Sequence, residues 1–121
     1  MLVDTTLQAE LIRVANALAD AARPETLAYF RTSTLVAEDK SDLEFDPVTV
    51  ADRAAERVMR DILARARPDD AILGEEYGAQ SGTTGLTWVL DPIDGTRGYI
   101  SGTPTWGILI SVADNDGPLF G

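Results

Sequence analysis

The chain has 121 residues, 45% of them hydrophobic and 7% aromatic, which is enough for one domain with a real core. Twenty acidic residues against ten basic give a net charge of −10, which repels a nucleic-acid backbone and leaves no basic stripe to follow one. With neither cysteine nor histidine, the chain excludes disulfides, thiolate catalysis, Cys/His zinc sites and Ser-His-Asp triads within itself, so any chemistry runs on carboxylates, hydroxyls and backbone.

The first residues, Met1-Leu2-Val3-Asp4, lack the basic region and apolar stretch of a signal peptide. No apolar run approaches the ~20 residues of a membrane helix, so the expectation is a cytoplasmic protein with no membrane partner. From Thr5 to Ala22, Leu7, Leu11, Val14 and Leu18 form one stripe of an amphipathic helix, with Thr5 and Gln8 as its capping box. The charged segment from Ala37 to Asp46 has no period and predicts a loop, either solvated or reaching toward a ligand. A second helix is expected from about Val48 to Arg67, where Val50, Ala54, Val58, Ile62 and Leu63 share a face, Thr49 is the N-cap and Pro68 is the stop.

After Pro68, short apolar runs predict strands at Ala71-Ile72-Leu73, Thr87-Trp88-Val89-Leu90 and Gly107 to Val112. The glycine-, serine- and threonine-rich segment from Tyr77 to Gly85 predicts a mobile loop between the first two. Asp114-Asn115-Asp116-Gly117 is a hairpin turn followed only by Pro118 to Gly121, which favours reading the chain as the front part of a longer protein.

The most informative segment is Trp88-Val89-Leu90-Asp91-Pro92-Ile93-Asp94-Gly95-Thr96, in which an apolar strand runs into two carboxylates around a stiff proline turn. That arrangement suits a shared metal ion. Gly95 and Thr96 offer backbone N–H groups to a phosphate where the next turn begins. Asp-Gly and Asp-Pro are each common turn dipeptides, so the signal lies in the whole nonapeptide. Leu73-Gly74-Glu75-Glu76 also presents carboxylates after an apolar run, although a Glu-Glu pair taken alone is usually a solvated surface. Asp52, in the first turn of the second helix after Asp46-Pro47-Val48-Thr49-Val50-Ala51, favours the helix dipole whether or not it has another role.

Taken together, Asp46 to Asp52, Gly74-Glu75-Glu76 and Trp88 to Thr96 resemble the successive motifs of the inositol monophosphatase family of Mg²⁺-dependent phosphatases, in order and over nearly the whole chain. The run from Asp91 to Gly107, with Arg97 and Trp106-Gly107, most resembles the histidinol-phosphate phosphatase branch. The resemblance implies an α+β layered sandwich, of which residues 1–121 would be the N-terminal metal-binding part, two long helices on an antiparallel sheet. It implies that Glu75, Asp91 and the Ile93 carbonyl hold one Mg²⁺ and that Asp91 and Asp94 hold a second, out of two or three ions. Asp52 and Thr96 would orient and deprotonate a water, while Glu75, Ile93, Asp94, Gly95, Thr96 and Arg97 would line the substrate site. The implied substrate is a small phosphorylated metabolite, L-histidinol phosphate first, with an inositol phosphate or a 3′(2′),5′-bisphosphate nucleotide as alternatives and a homodimer as the assembly. The family places a further aspartate ligand downstream of this chain's last residue, so a catalytically silent metal-binding module is the rival from another class.

Overall fold

The computed structural model describes residues 4–28, 30, 47–95, 99, 102 and 106–121, and among these it has two long helices and a five-stranded sheet. The charged segment predicted as a loop lies outside these residues. Helix α1 runs Thr5–Leu27, past the predicted end at Ala22 and through Pro24. Its cap is Asp4, whose Oδ1 accepts the Leu7 N–H at 2.7 Å, and this displaces the expected Thr5–Gln8 box by one residue. A carboxylate outranks a threonine hydroxyl there because it also meets the positive end of the helix dipole. Leu11, Val14, Leu18, Ala22 and Thr26 form the buried stripe.

Helix α2 spans Pro47–Ala66, so Thr49 lies inside it and does not cap it. Proline at the first helical position costs nothing, because that N–H has no intrahelical partner. The buried face is Ala51, Ala55, Met59 and Leu63 together with Glu56, one residue round from the predicted face, whose Val50, Ala54, Val58 and Ile62 are half-buried. The apolar stripe is two residues wide, and periodicity does not say which edge of it meets the core.

The strands are β1 Ala71–Gly74, β2 Gly78–Gln80, β3 Thr87–Asp94, β4 Gly107–Asp114 and β5 Gly117–Phe120, in the spatial order β2-β1-β3-β4-β5. The sheet is mixed, not antiparallel as expected, because β1 pairs with β3 in parallel while every other neighbouring pair is antiparallel. The cause is β2, which falls inside the predicted mobile loop. One reversal at β2 and a second before β3 send β3 off in the direction of β1. The return segment is held by Thr83 N–H to the Asp69 carbonyl at 2.7 Å and by Ala71 N–H to the Leu86 carbonyl at 2.8 Å. The predicted hairpin turn joins β4 to β5, with Asp114 Oδ1 accepting the Asp116 N–H at 2.8 Å and Gly117 at a φ of +133°.

The helices cover one face of the sheet, where Ile72, Trp88, Leu90 and Val112 meet the α1 and α2 stripes in one core. The other face carries exposed Leu73, Val89 and Leu109. No helix among the described residues is long and apolar enough to cross a membrane.

Asp70, buried just before β1, ties the parts together. It accepts Arg67 Nε at 2.7 Å, Thr84 Oγ1 at 2.7 Å and Trp88 Nε1 at 2.9 Å, and Arg67 reaches on to Glu10 of α1 at 3.0 Å. Burial alone would push the Asp70 carboxyl up, but these donors and the Arg67 charge together hold it below its ordinary value. A carboxylate with a depressed folded-state pKa stabilises the fold fully above its unfolded value and loses that stabilisation as pH falls through the folded value. Asp70→Asn should therefore cost about 2 kcal/mol at neutral pH, and its deficit against the native chain should narrow between about pH 5 and about pH 3. Urea unfolding of both proteins across that range checks this, and a constant deficit would show that Asp70 is not held ionised.

Candidate metal and phosphate site

The site is built on the shared end of the parallel pair. Gly74 is level with Leu90, and the Glu75 N–H continues the pairing to the Leu90 carbonyl at 3.3 Å, so Glu75 leaves β1 beside Asp91 of β3. A second feature sets Asp94. Asp91 is level with Leu109 and Asp94 with Gly107, so three steps along β3 match two along β4, which is a bulge. In a regular strand residues three apart face opposite ways. Here the partners Leu109 and Gly107 are two apart and share a face, so Asp91 and Asp94 share one as well. Pro92 sits within the bulge, where it has no ladder bond to lose.

From the helix side, α2 brings Asp52 toward the same end. Asp52 feels the charges of Glu76, Glu75 and Asp91, and Glu75 lies in hydrogen-bonding relation to Asp91. Burial first, then the Glu76 charge and its hydrogen bond, then Glu75 and Asp91, push the Asp52 carboxyl up to about 8. Glu75 is pushed up to about 7, first by its hydrogen bond and charge relation with Asp91, then by burial and by Glu76 and Glu56. Asp52 Oδ1 and Asp91 Oδ1 are buried without a hydrogen-bond partner. Buried carboxylate oxygens are normally satisfied, and these two face other acids instead of donors.

This donor set fits a hard divalent cation, which takes carboxylate oxygens and relieves their repulsion. Among the described residues no three acids close on one point as a finished metal shell. What converges is the pair Glu75–Asp91, with Asp52 and Glu76 within electrostatic reach.

Of the other predicted site residues, Asp94 is exposed at the end of β3. Ile93 points its side chain into a second small core with Ala51 and Tyr99, against which Phe30 and Trp106 pack. Gly95, at a φ of 87°, accepts the Tyr99 N–H at 3.1 Å through its carbonyl. Tyr99 Oη in turn donates to the Thr26 carbonyl at 2.8 Å, which ties Tyr99 to the end of α1. Thr96 and Arg97 lie outside the described residues.

Sequence reasoning missed Glu56 and gave no role to Glu76. Glu56 is fully buried, and its carboxylate accepts the Glu76 and Tyr77 N–H groups at 2.9 Å each and Arg60 Nε at 3.0 Å. The available signal was its position four residues after Asp52, on the same side of α2.

The profile of the inositol monophosphatase family matches residues 7–121. A histidinol-phosphatase of Streptomyces coelicolor is 46% identical over 103 residues, which is 85% of this chain and 38% of that protein. An inositol-1-monophosphatase of Mycobacterium bovis is 50% identical over 70 residues, 54% of this chain and 24% of that protein. The solved structure of an inositol monophosphatase from Zymomonas mobilis superposes with a TM-score of 0.72 at 43% identity, covering 88% of this chain and 40% of that one. The chain thus spans about two fifths of the length of the first histidinol-phosphatase relatives it matches, 38% and 42%.

Because the acids at this site repel one another, removing one charge should stabilise the chain when no metal is supplied. In EDTA at about pH 9, above the value of about 8 to which the Asp52 carboxyl is pushed, Asp52→Asn should raise the melting temperature by about 3 °C, the effect of roughly 1 kcal/mol on a chain of this size. Calorimetry of the two proteins checks this, and a fall would show that the Asp52 carboxylate is satisfied within the fold.

Proposed function

We propose that this chain, which belongs to the inositol monophosphatase family, carries the metal-binding part of an Mg²⁺-dependent hydrolase of small phosphate monoesters, with L-histidinol phosphate as its substrate. The observation that carries the reading is the pair of buried, unpartnered oxygens on Asp52 and Asp91, set among acids whose mutual repulsion a bound cation would relieve. Support for histidinol phosphate comes from relatives named histidinol-phosphatase, which match over 85% and 91% of the chain.

In this reading Glu75, Asp91 and the Ile93 carbonyl would hold one ion, and Asp91 with Asp94 would hold another; the bulge, which turns both aspartates to one face, supports the second assignment. Bound Mg²⁺ would neutralise phosphoryl oxygens and lower the pKa of a coordinated water. Asp52 accepts a proton from the attacking water, and Thr96 orients it. The Gly95 and Thr96 amides would hold the phosphate. Arg97 offers a cation beside them. Phosphate monoesters hydrolyse very slowly unaided, so these groups act by holding the phosphorus in line and matching its charge.

A second reading, inositol monophosphate as substrate, is favoured by the 50% identity to inositol-1-monophosphatases across 70 residues. Phosphate release from both esters by the chain, with Mg²⁺ or with EDTA, separates the two. The expected result is Mg²⁺-dependent release, faster from histidinol phosphate and lowered about a thousandfold by Asp91→Asn, the several kcal/mol that metal-held charge supplies. Preference for the inositol ester would move the substrate, and Mg²⁺ binding with no release from either would favour a silent metal-binding module. Release indifferent to EDTA and to Asp91→Asn would overturn the metal site.

A further inference from the structure

We propose that Glu56 is the positioning residue of the acid-bearing turn after β1, its buried carboxylate fixing the Glu76 and Tyr77 amides and so aiming Glu75 at Asp91. As far as a metal is concerned, the inference rests on the function proposed above.

Glu56 interrupts a helix face that is otherwise Ala51, Ala55, Met59 and Leu63, where packing alone would ask for an apolar side chain. An ionised carboxylate with no exposure is costly unless it is paired and fully hydrogen-bonded. Glu56 meets that condition through Arg60 on its own helix and through two successive amides of the turn. Both of those amides follow Glu75 directly. One rigid acceptor gripping two consecutive N–H groups fixes the backbone between them, and with it the direction in which Glu75 leaves β1.

The strand side is shaped to match. A Cβ at Gly74 would run into the Glu56 carboxylate, so the residue before Glu75 is one that lets β1 come this close to α2. Arg60 also donates to the Gly78 carbonyl at the far end of the turn. Arg57 donates to Tyr77 Oη at 2.9 Å, and both guanidinium groups stand 5.9 Å from the Tyr77 ring centre. The turn is therefore gripped along its length by α2, the helix that also carries Asp52 one turn earlier.

The test compares the native chain with Glu56→Gln and with Glu56→Gln/Arg60→Gln, which leaves no uncompensated buried charge should the single variant fail to fold. Two quantities are read on folded protein: Mg²⁺ affinity by calorimetry, and amide hydrogen exchange at Glu76 and Tyr77. We expect Mg²⁺ to bind about 10- to 100-fold more weakly in the variants, the usual effect of losing a group that orients a ligand. The two amides should exchange at least about tenfold faster, with cooperative melting retained. Variants that melt lower but bind Mg²⁺ as the native chain does would reduce Glu56 to a packing role and overturn the proposal. If the native chain itself binds no Mg²⁺, the metal reading of the site fails and amide exchange alone decides on Glu56: faster exchange at Glu76 and Tyr77 supports it, and unchanged exchange overturns it.

Discussion

The parallel pairing of β1 with β3 is the constraint on which the site depends. Parallel strands end on the same side, so the acids that follow each apolar run arrive together, Glu75 after β1 and Asp91 within β3. Had the pair been antiparallel, the end of β1 would lie beside Thr87, four residues of strand or about 13 Å from Asp91. The three-residue strand β2 makes the difference, since the reversal it supplies lets the chain return on the other side of β1 in the same direction. Helix α2 then closes the end of the pair, packing Ala51 on Ile93 and bringing Asp52 to the acids.

Two acid clusters in the same small fold have opposite electrostatics. Asp70 is surrounded by donors from Arg67, Thr84 and Trp88 and is held below the ordinary carboxylate range. Asp52 is surrounded by Glu76, Glu75 and Asp91 and is pushed well above it. The chain has arginines to spare for a structural carboxylate and directs none of the described ones to Asp52 or Asp91. Folding is opposed at the second cluster, and a local rule broken in this way marks a functional site more often than a structural one.

Glu75 and Asp91, which the fold brings side by side, stood out in the sequence because each follows an apolar run; the helices and the three main strands were legible from periodicity. Three things were not. The strand β2, Gly-Ala-Gln, has no apolar alternation and pairs only because β1 offers it an edge, and missing it also hid the parallel sense of the sheet. The buried edge of α2 depends on tertiary contact, since alanines at 51 and 55 allow close approach where the larger Val50 and Val58 do not lead. Glu56 looks like an ordinary charge on a polar helix flank, and its hydrogen bonds to the Glu76 and Tyr77 amides exist only once β1 ends against it. The bulge belongs with these, because two aspartates three apart were legible as a pair but their common face is a property of the register with β4.

The likeness to differently named relatives follows from how a phosphatase divides its work. Releasing phosphate requires charge neutralisation, an oriented water and amides around the phosphoryl oxygens, and none of these depends on which alcohol leaves. Recognising the alcohol requires other groups, placed beyond the leaving oxygen. A segment devoted to the first task should resemble relatives of different specificity about equally, and this chain does: it is 46% identical to a histidinol-phosphatase and 50% identical, over a shorter stretch, to an inositol-1-monophosphatase. Function on a shared fold is decided at the level of sites, and the site proposed here is the one that would meet phosphate.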